Sequence, residues 1–229
     1  MEWFNNESSY YNYLNSLSKV DKVEWTRNIV NTNMEVLAIP IPTLRKLAKE
    51  IMNSDYISFL DKRMLANYES TIIYGIIINN LKDIKLIRKY LDIYVNYVDN
   101  WSSCDILSIK TNNKEELFNI GVSYTKSDLA FVRRVGYRIL FGYVDDVEYL
   151  CKIFNIIDEC NGDETEYYVN MIVAWLLCEA FIKNRGLTIK YLDNNRLNSF
   201  TVNKFISKCR DSFRVSKLDK DMLLNYKCK

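Results

Sequence analysis

Six glycines and two prolines in 229 residues leave this chain little of what sharp reversals are built from. Sheet-rich folds need left-handed or φ-locked residues at each of many turns, so their scarcity predicts helices joined by short loops. The apolar pattern agrees, because no segment alternates with period two for long.

Helices are expected over residues 8–17, 22–31, 43–52, 56–60, 62–81, 83–97, a short stretch from Trp101, 114–124, 127–143, 147–159, 164–183, 187–192, 201–213 and 217–226. Pro40 and Pro42, the only prolines, are expected to end one helix and open the next. Residues 71–78 are β-branched but lie inside a long segment apolar on most sides, the mark of a buried central helix. In the 127–143 helix Ser127 is the expected cap. Leu129, Val132, Val135, Gly136 and Ile139 there form the apolar face, opposite Arg134, Arg138 and Phe141. Helix pairs recur about every 40 residues from Lys62 onward, the period of HEAT-type modules. The fold class expected is all-α, a curved superhelical solenoid of HEAT-like antiparallel helix pairs in one domain, 1–229.

The chain has no histidine. That removes Ser-His-Asp and Cys-His catalysis, imidazole general-base chemistry and His-ligated zinc or haem. The six cysteines, at 104, 151, 160, 178, 209 and 228, show no Cys-x-x-Cys and no paired spacing. They read as reduced thiols, with neither metal nor cofactor expected. The N-terminus carries no basic-then-apolar leader, and no apolar run approaches the roughly 20 residues of a membrane span. A cytoplasmic monomer is expected. A net charge of only +2 means that any polyanion site must come from local clustering.

Trp101 and Asp105 in Asn100-Trp101-Ser102-Ser103-Cys104-Asp105 fall one turn apart on the same helical face, with Asp99 or Asn100 as cap. A carboxylate near a helix N-terminus is comfortable ionised, and an indole gives it one dry side. Trp175, with Tyr168, Met171 and Glu179 nearby on its helix, and Arg134 with Arg138 add aromatic faces and cations. Such a set suits a cationic sugar-like centre beside a phosphate. Arg45, Lys46, Lys49, Lys204, Lys208 and Arg210 are either phosphate contacts or solvated helix faces. Core packing is expected of Tyr74, Tyr167 and Tyr168, and a structural arginine partner of Glu179.

Several stretches together resemble the AlkD-like alkylpurine DNA glycosylases, helical-repeat proteins of DNA alkylation repair. They are Leu37-Ala-Ile-Pro-Ile-Pro-Thr-Leu-Arg-Lys-Leu-Ala-Lys49, Tyr68-Glu69, Asn100-Trp-Ser-Ser-Cys-Asp105, Phe131-Val-Arg-Arg-Val135, Tyr167-Tyr-Val-Asn-Met-Ile-Val-Ala-Trp-Leu176 and the stretch from Asn203 to Arg214. The resemblance implies a C-shaped superhelix that grips duplex DNA by its backbone and excises N3- or N7-alkylated purines without flipping the base. It places the family's Trp and Asp pair on Trp101 and Asp105 and its second tryptophan on Trp175. Its phosphate-binding arginine falls on Arg134 or, one residue away, on Arg133. Two departures stand out. Cys178 occupies a position that is basic in some relatives. The aromatic on the helix before Pro40 has no clear counterpart, Ile29 lying nearest and Trp25 one turn away. Two other readings stay open: a non-catalytic binder of DNA structure on the same superhelix, and a protein–protein scaffold.

Overall fold

A computed structural model of the protein describes residues 3–228. Among them are fourteen α-helices and no strand, so the all-α expectation holds. The helices are α1 (Glu7–Ser16), α2 (Val23–Val30), α3 (Ile41–Met52), α4 (Tyr56–Asp61), α5 (Tyr68–Asn80), α6 (Ile84–Tyr94), α7 (Trp101–Asp105), α8 (Lys114–Thr125), α9 (Ala130–Leu140), α10 (Val147–Cys160), α11 (Tyr167–Lys183), α12 (Arg185–Leu192), α13 (Ser199–Asp211) and α14 (Lys217–Leu223). No helix of the described residues is long and apolar enough to cross a membrane.

The chain forms two compact units, Met1–Lys114 and Glu115–Lys229. In the first, α3, α5 and α7 lie side by side, with α4 packed on α3 and α6 on α5. In the second, α9, α11 and α13 form such a row, with α12 on α11 and α14 on α13. Alternate helices therefore share a face within each unit.

With few glycines or prolines to punctuate it, the chain starts its helices with side chains. Asn6, Asp55, Asn67, Asp83, Asn100, Asp146, Asn198 and Ser216 each accept a first-turn backbone N–H. A cap of this kind contributes about 1 kcal/mol. Five tyrosines, Tyr10, Tyr74, Tyr90, Tyr94 and Tyr137, are among the largest fully buried side chains. Tyr74 is thus in the core, as expected; its hydroxyl donates to the Leu60 carbonyl at 3.0 Å. The α5 helix is buried at every position from Tyr68 to Ile78, as its apolar composition requires.

Among the boundaries that differ from expectation, three have a visible local cause. First, α5 begins at Tyr68, not near Lys62. Arg63 adopts a left-handed φ of 52°, and Asn67 caps the helix by accepting from Ser70 N at 2.9 Å and Ser70 Oγ at 2.6 Å. Second, the proline pair opens α3 but does not end α2. That helix stops at Val30 because Asn31 turns left-handed, at φ 54°. Third, α9 begins at Ala130, and Ser127 Oγ accepts from Leu129 N at 3.2 Å ahead of it. Leu129 is consequently 59% exposed rather than part of the apolar face. After Leu140 the chain tightens into a 3-10 turn over Phe141–Tyr143.

The irregular segment between α2 and α3 is held by a carboxylate thirty residues away. Glu69 is fully buried and accepts from Leu37 N at 3.0 Å and Ile39 N at 3.3 Å, with the Ala38 amide joining them. Ala38 itself sits at φ 56°, a conformation costly for a residue with a Cβ. Three successive amides thus form an anion nest whose occupant is the protein's own glutamate. Burial nevertheless raises the Glu69 pKa above its ordinary 4.5, the amides opposing that rise.

In the second unit, α8 and α9 approach through glycine. A Cβ on Gly136 would lie 2.6 Å from Thr125 N and 2.7 Å from Gly121 O, both backbone atoms that cannot yield cheaply. Gly136→Ala is therefore expected to destabilise the fold by about 1–3 kcal/mol through overpacking. A lower urea midpoint at unchanged slope checks this, and a wild-type midpoint contradicts it.

Glu69 generates a pH prediction. Its folded pKa is raised, so the folded state retains a proton that the unfolded chain releases above about pH 4.5. This contribution to stability is fully present below that value and is lost as pH rises through the folded pKa. The stability difference between wild type and Glu69→Gln should shift against the wild type across that window. A difference independent of pH contradicts the assignment.

Candidate functional site

In the first unit the site is built on α7. Asn100 caps it, accepting from Ser103 N at 2.9 Å from an extended backbone, as its residue type predicts. Ser103 and Cys104 are buried. Ser103 shares a hydroxyl hydrogen bond with Thr71 at 2.7 Å, and its carbonyl accepts from Tyr94 OH at 2.7 Å. Beyond the helix, Asn79 donates to Ile106 O at 2.8 Å and accepts from Ser108 N at 2.6 Å. Both ends of α7 are therefore pinned to α5 and α6.

With that side buried, helical geometry leaves Trp101 and Asp105 together on the other, each half-buried. The Trp101 indole is fixed in plane by donating Nε1–H to Ile29 O at 3.0 Å. Asp105 is the last residue of the five-residue helix that Trp101 opens, so both lie within the first turn or two of its start, as the spacing suggests.

The same hydrogen bond brings α2 to the site. Ile29 is 46% exposed and Trp25, one turn earlier on the same face, is 66% exposed. An aromatic side chain is thus available on the helix before Pro40, although not at the position where the resemblance looked for it. Its spacing from Ile29 was visible in the sequence; its exposure was not. Arg45, Lys46 and Lys49 on α3 are exposed and, among the described residues, have no carboxylate within ion-pair distance.

In the second unit the shared face of α9, α11 and α13 carries alternating cations and aromatic rings. Phe131 lies 5.5 Å from Tyr168, and the Arg134 guanidinium stands 6.0 Å above the Tyr168 ring. Arg138 stands 5.3 Å over Phe141, and Phe141 meets Trp175 edge-on at 4.8 Å and 67°. Lys208 Nζ is 5.8 Å from the Trp175 ring, and Lys204 Nζ 5.3 Å from Phe200. Phe200 in turn lies 5.8 Å from Tyr167. Core packing therefore does not describe Tyr167, which is 50% exposed, or Tyr168, which is half-buried. Each cation–π contact is worth about 0.5–1 kcal/mol where water reaches it.

Geometry separates the two adjacent arginines. Arg133 forks onto Glu164, with Nε at 2.8 Å and Nη2 at 3.0 Å, and its Nη1 donates to the carbonyls of Ser127 and Asp128. That guanidinium is spent on structure. Arg134 is 5% exposed and donates to Tyr168 O at 2.6 Å, which anchors it at the row's edge. Glu179 is paired with Arg214, as expected: Arg214 Nη1 is 3.0 Å from Oε2, and Nη2 takes the other oxygen. Cys178 is 3% exposed and sits beneath the face, in thiol contact with buried Cys209 across the α11–α13 contact. That contact, with burial, pushes the Cys209 thiol up.

The predicted residues thus fall into two groups. Trp101 and Asp105 share α7 in the first unit, with Trp25 and Ile29 beside them. Trp175, Arg134, Arg138 and Lys208 share one face of the second, with Lys204 farther along α13.

The model of the DNA alkylation repair enzyme family matches the sequence over residues 12–206. The chain belongs to that family. The matched region contains Trp101, Asp105, Arg134, Arg138, Trp175 and Lys204, whereas Lys208 lies just beyond it. No curated protein matches the sequence.

Arg133 yields a prediction. Glu164 has a side chain only 5% exposed, so Arg133→Ala strands a buried carboxylate. A loss of about 3–5 kcal/mol is expected in urea unfolding. A loss below about 1 kcal/mol, the range of a surface pair, contradicts the structural assignment.

Proposed function

We propose that the protein is a monofunctional DNA glycosylase that hydrolyses the N-glycosidic bond of cationic N3- or N7-alkylated purines in duplex DNA, without flipping the base. The observation that carries this reading is the α7 pair. A tryptophan whose plane is fixed by Ile29 and an aspartate one turn on project from a helix pinned at both ends. Membership of the DNA alkylation repair enzyme family supports a substrate of alkylated DNA.

The chemistry suits the residues. An alkylated purine carries positive charge in the ground state and leaves as a neutral base. No general acid is needed, and the absence of histidine is no obstacle. What the transition state needs is stabilisation of an oxocarbenium-like deoxyribose. Asp105 meets that need electrostatically and orients the attacking water, and the face of Trp101 packs on the sugar, while Trp175 is the second tryptophan that the resemblance assigns to this chemistry. Arg134, Arg138, Lys204, Lys208, Arg45, Lys46 and Lys49 are the candidate phosphate contacts. Among these, Arg138 and Lys208 gain support from their place in the cation–aromatic row. Arg133 is withdrawn from that role by its fork onto Glu164.

A second reading, binding of DNA structure without excision, draws on Cys178. Buried at 3% exposure, it puts no cation beside Trp175 from that position of α11.

Release of 7-methylguanine and 3-methyladenine from methylated duplex separates the two. Wild type should release both above the spontaneous rate, and Asp105→Asn should lower single-turnover release about 10²–10³-fold while leaving duplex binding intact. Binding without release favours the structural binder. Absence of both overturns DNA repair activity for this chain.

A further inference from the structure

The turn between α13 and α14 carries Phe213 at 94% exposure, and Leu218, in the first turn of α14, is 82% exposed. Singly exposed apolar residues are ordinary, but these two are the most exposed of the large hydrophobics, and both lie in one short stretch. That stretch is also locally basic in a nearly neutral chain. Between residues 208 and 220, Lys208, Arg210, Lys217 and Lys220 stand against Asp211 and Asp219, with Arg214 taken by Glu179. Asp219 is already paired with Arg185 at 2.7 Å.

The turn is held rigidly on both sides of the exposed ring. Ser212 Oγ accepts from Arg214 N at 3.2 Å, Val215 is buried, and Ser216 caps α14 by accepting from Asp219 N at 3.1 Å. Arg214, next to Phe213, is forked onto Glu179. Glu179 lies one turn beyond Trp175 on α11. Phe213 is therefore an uncovered aromatic side chain on a held turn, next to the arginine that ties that turn to Glu179 on α11. It also lies beyond the residues matched by the family model, which end at 206.

We propose that Phe213 is an apolar wedge that inserts against the base stack of duplex DNA, with the neighbouring cations seating the flanking phosphates. Exposed apolar side chains ringed by arginine and lysine partly unstack base steps in this way, and the ring recovers in stacking what the exposed turn lacks in cover. This inference rests on the DNA-binding part of the function proposed above. Apolar side chains among cations also suit an anionic membrane surface. Duplex DNA is favoured because the turn is tied by Arg214 and Glu179 to the cation–aromatic face.

The test uses the full chain and a duplex carrying 2-aminopurine at a central step. Phe213 is so exposed that Phe213→Ala should fold as wild type does. Wild type should raise the 2-aminopurine emission on binding. Phe213→Ala should abolish that rise and weaken binding about tenfold, whereas Phe213→Leu should keep most of both. Unchanged emission and affinity in Phe213→Ala overturn the wedge, and methylated-base release from the same samples shows separately whether the glycosylase reading stands. Loss of binding to anionic phospholipid vesicles in Phe213→Ala, with DNA binding unaffected, overturns it in favour of a membrane contact. If the wild type does not bind duplex at all, the wedge and the DNA-binding reading fall together.

Discussion

Two carboxylates that grip backbone amides hold the first unit in the form its site requires. Glu69 gathers the amides of residues 37–39 from beneath. Asp99 takes Thr32 Oγ1 at 2.5 Å and Asn33 N at 2.8 Å, and also receives the Asn100 side chain at 3.0 Å. Between them they fix the irregular stretch that separates α2 from α3. Because Asp99 directly precedes the Asn100 cap, the same tie sets α2 against the start of α7. The indole hydrogen bond from Trp101 to Ile29 then follows from backbone placement. Hydrogen bonds from three successive amides onto one buried carboxyl group hold Ala38 in its left-handed conformation.

The second unit solves a different problem. A chain of net charge +2 has no surplus of basic surface, so any affinity for a polyanion must be concentrated. The α9, α11 and α13 face concentrates it by setting cations over rings. Arg138 over Phe141 and Lys208 over Trp175 are held where a flexible side chain would otherwise wander. Each ring thereby fixes its cation and keeps its own edge in contact with the next ring. Cys178 and Cys209 pack below, where a larger or charged side chain would push α11 and α13 apart.

Much of this was legible in the chain itself. Scarce glycine and proline, apolar period and Asx caps predicted an all-α protein, and the uniform apolarity around Ile72 to Ile78 predicted a helix buried on every side. The Trp101 and Asp105 pair was visible from helical spacing, and an arginine partner was expected for Glu179, although its identity as Arg214 was not. What escaped was set by contacts distant in sequence. Asn31, Ala38 and Arg63 turn left-handed without being glycine, and at Ala38 the cause is Glu69, which binds the amides of residues 37–39. Tyr167 and Tyr168 carry the same apolar signature as core tyrosines, and only the neighbouring Phe131, Arg134 and Phe200 show that they line a face.

The proposed chemistry has one requirement that residue content alone imposes. Without histidine, and with Asp105 assigned to stabilise positive charge, nothing in the site is set to protonate a leaving base. The base must bring its own charge. The most direct measurement is therefore single-turnover excision of 7-methylguanine, which is cationic, beside hypoxanthine, which is neutral, from duplexes of the same sequence. The account predicts release of 7-methylguanine well above its spontaneous rate and no detectable release of hypoxanthine, a difference of at least about 10²-fold in enzymatic rate. Comparable release of both would contradict it, because the proposed roles assign no residue to protonate a leaving base.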